Sequence, residues 1–221
     1  MAPRSRPGAV ALVSTGSDSA VLLARLARRH PPVLPVYVRS GLLWERVELA
    51  ALRHFLRAAH LKGVRPLSVV AMPVRDTYGR HWSVTGRRVP GSRSDDRRMY
   101  LPGRNLMLLT RGALVCAAER LGVLGIGTLG GNPFADASAR FRGLMARAAS
   151  LALGRRIRVV APLSRMTKAE ALRAGRLLPL HLTFTCAAPR RGRHCGRCNK
   201  CAERRRGFAA AGLADRTAYR T

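Results

Sequence analysis

Four of the five cysteines lie in one C-terminal run, Cys186 followed after eight residues by Cys195-Gly-Arg-Cys198-Asn-Lys-Cys201. Cysteines separated by two residues on a glycine-containing turn can aim both thiolates at one ion, and the remaining corners of a tetrahedron lie within reach. Disulfides fit this spacing poorly, because two-residue loops are too tight for a framework and nothing marks secretion. A redox Cys-x-x-Cys would leave Cys186 and Cys201 without a role. The spacing therefore predicts a closed, structural zinc site on Cys186, Cys195, Cys198 and Cys201. Cys116, within Gly112-Ala-Leu-Val-Cys-Ala-Ala, reads as an apolar core residue.

A metal-bound tail of this kind needs a body to pack on. The 221 residues, 47% of them hydrophobic, suffice for one α/β core. No apolar run is long enough to cross a bilayer. The basic N-terminus leads into an apolar stretch of only Ala9 to Val13, so a signal peptide is not expected and a cytoplasmic location is. A formal net charge of +30 would suggest a nucleic-acid partner. Its distribution argues against one. Three of the 41 basic residues are lysine (Lys62, Lys168, Lys200), arginines are strewn over every predicted helix, and aromatics are 5% of the chain. That leaves little for base stacking, and an even arginine bias reads as solvated faces.

The hydrophobic pattern alternates. Gly8 to Val13 reads as a buried strand ending in the polar turn Ser14-Thr-Gly-Ser-Asp-Ser19, and Ala20 to His30 as a helix. Val33 to Val38 is a second strand, Leu43 to Ala59 a helix and Leu67 to Ala71 a third strand. From Pro73 to Pro102 the pattern dissolves into Gly, Arg, Ser and Asp, as in a functional loop or lid. Asn105 to Leu121 reads as a helix, Val123 to Gly127 as a strand, Ala137 to Leu153 as a helix and Ile157 to Val160 as a strand. Thr167-Lys-Ala-Glu170 is a capping box that opens another helix. Strands alternating with helices predict a doubly wound parallel sheet, with ligand sites at the carboxyl ends of its strands.

The turn from Ser14 to Ser19 sits where backbone N–H groups and a helix dipole can hold a phosphate, with an ordinary N-cap as the plainer reading. Gly125-Ile-Gly127-Thr-Leu-Gly130 matches a dinucleotide fingerprint but fails its context. Asn132-Pro133 interrupts the helix that should follow, and no acidic residue occurs from Ala137 to Ala169.

The Ser14–Ser19 stretch resembles the Ser-Gly-Gly-x-Asp-Ser loop of the N-type ATP pyrophosphatases. Thr15 stands where that loop has its first glycine, and a β-branched residue does not take a positive φ cheaply. Further segments follow in order: Tyr100-Leu-Pro-Gly-Arg104-Asn105, Asn132-Pro-Phe-Ala-Asp136, Ala161-Pro-Leu163 with Thr167-Lys168-Ala-Glu170, and Leu182-Thr-Phe-Thr-Cys186 with His194-Cys195. Together they are similar to the 7-cyano-7-deazaguanine synthase (QueC) family over nearly the whole length. Phe134-Ala-Asp136-Ala-Ser138 departs from the Tyr-Pro-Asp-Cys-Arg usual there.

The resemblance implies an adenine-nucleotide-hydrolase-like (Rossmann-like) ATP-pyrophosphatase domain over residues 1–180 and a zinc-binding segment over 181–221. It implies an ATP-dependent carbon–nitrogen ligase that converts 7-carboxy-7-deazaguanine and ammonia to the nitrile, using ATP, zinc and magnesium. On that reading Ser14, Thr15, Gly16, Ser17, Asp18 and Ser19 hold the pyrophosphate. Arg104 and Lys168 pair with phosphate or carboxylate, and Asp18 and Asp136 are candidates for magnesium or for an N–H contact. His194 is expected as a donor behind the zinc ligands. Two rivals stand beside it: a paralogue that adenylates another carboxylate, and a non-catalytic zinc-bearing nucleic-acid-binding protein. A homodimer is left open.

Overall fold

β1 (Ala9–Leu12) is buried along its whole length and sits at the centre of the sheet. It is flanked in parallel by β2 (Val33–Arg39), with Ala9 opposite Val33, and by β4 (Val123–Gly125), with Ala9 opposite Val123. β3 (Ser68–Ala71) and β5 (Arg158–Val160) complete a five-stranded parallel sheet of order β3-β2-β1-β4-β5. The computed structural model describes residues 8–220, so the basic residues 1–7 lie outside the described part of the chain.

The helices follow from strand alternation. Ala9 and Ala11 point to one face, where Leu22 and Leu26 of α1 (Ser17–Arg29) and Leu52 of α2 (Glu45–Ala59) cover them. Val10 and Leu12 point to the other, against Leu109, Ala113 and Cys116 of α5 (Arg104–Ala118). α6 (Ala139–Ala152) lays Phe141, Met145 and Ala149 on that second face, and α7 (Lys168–Ala174) opens with the expected capping box. There Glu170 N donates to Thr167 Oγ1 at 3.2 Å and Thr167 N donates to Glu170 Oε2 at 2.7 Å. Gly125 is required where β4 passes under α1, since a Cβ there would overlap Leu26.

Two stretches differ from the sequence expectation. Residues 73–102 form single-turn helices α3 (Arg75–Tyr78) and α4 (Trp82–Thr85) and a 3-10 turn at Asp96–Met99. The segment is fastened to the cysteine run rather than free as a lid. Asn199 N donates to Pro90 O at 2.9 Å, and Asn199 Nδ2 donates to Ser94 O at 3.0 Å and to Asp96 Oδ1 at 2.8 Å. The tail after Cys198 is a full helix, α8 (Asn199–Ala211), which no apolar stripe announced. Phe208 and Ala211 of α8 pack with Leu172 of α7, Ala20 of α1 and Phe55 of α2.

Burial sets the expected effects of truncation. Leu22, fully buried, should lose about 2–5 kcal/mol as Leu22→Ala. Leu151 is 86% exposed on α6, and Leu151→Ala should stay within about 0.5 kcal/mol of the parent. Urea unfolding of the two variants checks both.

Candidate functional site

The chain runs outward from β1 through β2 to β3 and then returns to β4 on the opposite side of β1. That reversal parts the connections above β1 and β4 and leaves a crevice at the carboxyl ends of the strands. A cavity of about 660 Å³ occupies it, bordered by Ser14, Asp18, Ser19, Arg104 and Lys168 among others. Five predicted site residues thus converge from three separate stretches of sequence.

The turn after β1 is held by its own hydroxyls. Ser14 N donates to Ser19 Oγ at 3.1 Å, Gly16 N donates to Ser14 Oγ at 3.1 Å, and the two serine hydroxyls lie 3.0 Å apart. Lys168 Nζ bonds both oxygens of Asp18, at 2.8 and 2.9 Å. Arg104 follows Gly103, whose φ of +64° lets the chain turn into α5, and its guanidinium donates to Ser40 Oγ at 2.8 Å.

Three expected residues are placed otherwise. Thr15 has no positive φ, is 2% exposed, and donates its hydroxyl inward to Glu48 O at 2.5 Å. Its β-branch therefore neither strains the turn nor enters the crevice. Ser17 is also buried, 1% exposed, with Oγ 3.4 Å from Asp18 Oδ1. Asp136 holds the start of α5: Asn105 donates to its carboxylate from the backbone N at 2.9 Å and from Nδ2 at 3.1 Å.

α8 supplies residues that sequence reading missed. Lys200, Glu203 and Arg206 border the same crevice. Lys200 Nζ lies 2.5 Å from Glu203 Oε2, and Lys168 Nζ lies 3.8 Å from Glu203 Oε1. Burial works to raise the Glu203 pKa, yet the ammonium groups of Lys200 and Lys168 hold it below the ordinary carboxylate range. Burial likewise opposes charge on Lys200, and Glu203 outweighs it, leaving the Lys200 pKa raised. One signal was available in the sequence. Lysine is rare here, and two of the three lysines border this crevice.

Beside the crevice, the thiols of Cys186, Cys195, Cys198 and Cys201 are all buried and lie within 4.8 Å of one another. Individual pairs stand at 3.5 Å (Cys198–Cys201), 3.9 Å (Cys186–Cys198) and 4.0 Å (Cys195–Cys201). Four sulfurs about 2.3 Å from a tetrahedral zinc would sit about 3.8 Å apart, so the donor set fits a metal ion. Gly196 takes φ +73° in the turn between Cys195 and Cys198, and Cys195 N donates to Cys186 Sγ at 3.2 Å. His194 is not a donor to the sulfurs; its Nε2 accepts from Thr185 N at 3.2 Å. Burial first, then Arg204, push its pKa down to about 4, which keeps the ring neutral and able to accept. Arg204, itself buried, donates to Thr183 Oγ1, Thr217 Oγ1 and Leu180 O, tying α8 to the segments on either side. Cys116 stands apart in the core, its thiol pushed up to about 12 by burial.

The inward hydroxyl makes Thr15→Gly a test of this geometry. Glycine removes a buried hydrogen bond and frees the backbone of the unfolded chain, costing about 1–2 kcal/mol of stability. ATP affinity should not improve, because no strain at position 15 is relieved. Thermal melting and nucleotide titration check the two expectations.

Comparison with known proteins agrees with this arrangement. The family described as "Queuosine biosynthesis protein QueC" matches residues 8–212. A 7-cyano-7-deazaguanine synthase of Anaeromyxobacter sp. (strain Fw109-5) is 35% identical over 237 residues, covering 99% of each chain. One from Anaeromyxobacter dehalogenans is 34% identical, covering 96% of this chain and 95% of its own. The enzyme so named in Methanothermobacter thermautotrophicus is 31% identical, covering 96% and 99%. A match this long, with the nucleotide turn and the cysteine run both inside it, places the chain in the QueC family.

Proposed function

We propose that the chain is an ATP-dependent ligase that converts 7-carboxy-7-deazaguanine and ammonia to 7-cyano-7-deazaguanine. The observation that carries this reading is the meeting of the Ser14–Ser19 turn, Arg104 and Lys168 in one crevice at the reversal of strand order. The substrate carboxylate attacks the α-phosphorus of ATP, releasing pyrophosphate and forming an acyl adenylate. Ammonia adds to that carbonyl, AMP leaves, and a proton is lost to give the amide. The amide oxygen then attacks the α-phosphorus of a second ATP, releasing pyrophosphate, and loss of AMP and of both N–H protons leaves the nitrile.

The protein's part is to position the reactants and balance charge. Backbone N–H groups of the Ser14–Ser19 turn, at the positive end of α1, hold the pyrophosphate. Lys168 supplies an ammonium where negative charge grows, and Asp18 aims it. Arg104 presents a planar fork to phosphate or carboxylate. Asp136 acts through the start of α5, fixing Asn105 beside Arg104.

Both candidate carboxylates for magnesium are engaged, Asp18 by Lys168 and Asp136 by Asn105. We therefore read magnesium as arriving on the phosphates of ATP, its other positions filled by water. Zinc on the four thiolates would be structural, with no open position for chemistry. On this reading residues 1–180 form the ATP-pyrophosphatase domain, and 181–221 the zinc-binding segment packed on it. No helix among the described residues is long and apolar enough to cross a membrane, and a biosynthetic role for a small soluble substrate suits the cytoplasm.

The test is incubation with 7-carboxy-7-deazaguanine, ATP, magnesium and ammonium. The nitrile, AMP and pyrophosphate are expected, and ADP with phosphate would overturn the pyrophosphatase reading. Consumption of ATP only with another carboxylate would mark a paralogue, and no pyrophosphate release at all would favour the non-catalytic reading. Asp18→Ala and Ser19→Ala should each lower the rate by about one to two decades, roughly 1.5–3 kcal/mol of transition-state binding. For the metal, elemental analysis should find about one zinc per chain, lowered in Cys198→Ser and retained in Cys116→Ala.

A further inference from the structure

A second, smaller cavity of about 210 Å³ adjoins the nucleotide crevice, and Asp18, Lys168 and Glu203 border both. Its other walls have a different chemistry. Trp44 and Trp82 stack with ring centroids 5.8 Å apart and planes 26° from parallel, and Leu101 and Phe184 lie near them. The two tryptophans of the whole chain are thus stacked on one another at the edge of this cavity.

Glu48 borders the same cavity. It is 8% exposed, and its Oε2 accepts from the Tyr37 hydroxyl at 2.6 Å. The backbone of Thr15 adds a second hydrogen bond to the same carboxylate. Burial pushes the carboxyl's pKa up, and the Tyr37 bond and Arg104 only partly offset it. A carboxylate offers about four acceptor sites, so these two bonds fix Glu48 at the cavity wall and leave it able to accept from a bound ligand.

We propose that this cavity holds the heterocycle of the substrate, with Glu48 as the residue that determines specificity for an aminopyrimidinone ring. Such a ring carries an N1–H and an exocyclic amino group side by side, two donors that match a carboxylate's acceptors. Its flat face lies against the indole wall, as aromatic stacking prefers. The other ring, which bears the carboxyl group, then points to the partition of Asp18, Lys168 and Glu203, beyond which the nucleotide sits. One cavity reads the base, the other holds ATP, and the reacting groups meet between them. The proposal rests on the reading of the substrate given above.

Intrinsic fluorescence reports on this cavity directly, because both tryptophans line it. Binding of 7-carboxy-7-deazaguanine without ATP should quench that fluorescence saturably. Glu48→Gln should weaken binding and raise KM for the acid about 10-fold or more, while KM for ATP stays within about 2-fold. An analogue lacking the exocyclic amino group should bind the parent about 10-fold more weakly, and Glu48→Gln should erase that discrimination, which loss of structure alone would not do. Equal affinity and undiminished discrimination in Glu48→Gln would overturn the proposal. If that variant does not fold, Trp82→Leu carries the test. Weaker binding of the acid with ATP binding unchanged supports the site, and unchanged binding overturns it. Turnover of the acid with no fluorescence response also overturns the site but leaves the ligase reading standing. A parent protein that adenylates only another carboxylate overturns the ligase reading itself.

Discussion

The ion-pair chain from Asp18 through Lys168 and Glu203 to Lys200 holds the functional region together. The four members come from three places: α1 for Asp18, the first residue of α7 for Lys168, and the first turns of α8 for the other two. None is far from solvent, so the chain is not a large source of stability. Its importance is geometric. Two ammonium groups are held at the mouth of the sheet by two carboxylates. On the reading proposed above, an arriving polyphosphate would find positive charge already in place, which lowers the reorganisation it must induce.

That arrangement joins the cysteine cluster to the wall of the crevice rather than leaving it an appendage. α8 begins at Asn199, immediately after Cys198, and carries Cys201 on the same turn as Lys200 and Glu203. Residues 90–96 are bonded to Asn199, and Met99 packs among the cysteines. Metal bound at the thiolates would thus fix Lys200 and Glu203, and through the same knuckle the Trp82 side of the smaller cavity. Its binding energy would be spent on the position of groups several residues away from any sulfur.

Much of this was legible. Gly8–Val13, the serine-rich turn and the leucines of α1 spell a strand, a turn and a helix in local terms, and the cysteine spacing anticipates the cluster of four thiols. What escaped has one physical cause. In α2 the inward stripe is Glu45, Glu48, Leu52 and Phe55, and in α8 it is Cys201, Arg204, Phe208 and Ala211. Both follow a helical period, but in each the end nearest the site is polar. A reading that scores apolar residues alone sees Val47, Leu49, Leu52, Phe55 and Leu56 in α2 and passes over the two buried glutamates; in α8 it sees no face. Buried charge is tolerated there because it is bonded: Glu45 accepts from Ser40 N and Gly41 N, and Arg204 donates to Thr183, Thr217 and Leu180. Residues 73–102 escaped for a related reason. Their order comes from Asn199, more than a hundred positions along the chain, and no local pattern encodes it.

Charge composition carries the same lesson in a different form. The excess of arginine is spread over exposed helix faces and says little about partners, whereas the choice of lysine at two positions is informative. Arginine's planar fork suits Arg104, which reaches across to Ser40, and Arg204, which bonds three segments at once. At positions 168 and 200 a compact ammonium sits within one crowded crevice, Lys168 against Asp18 and Lys200 against Glu203, where a planar guanidinium needs more room. In a chain that otherwise favours arginine so heavily, each lysine is therefore a statement about local geometry. Lys62, in the αβ connection outside this crevice, is the exception that keeps the argument a matter of placement rather than of count.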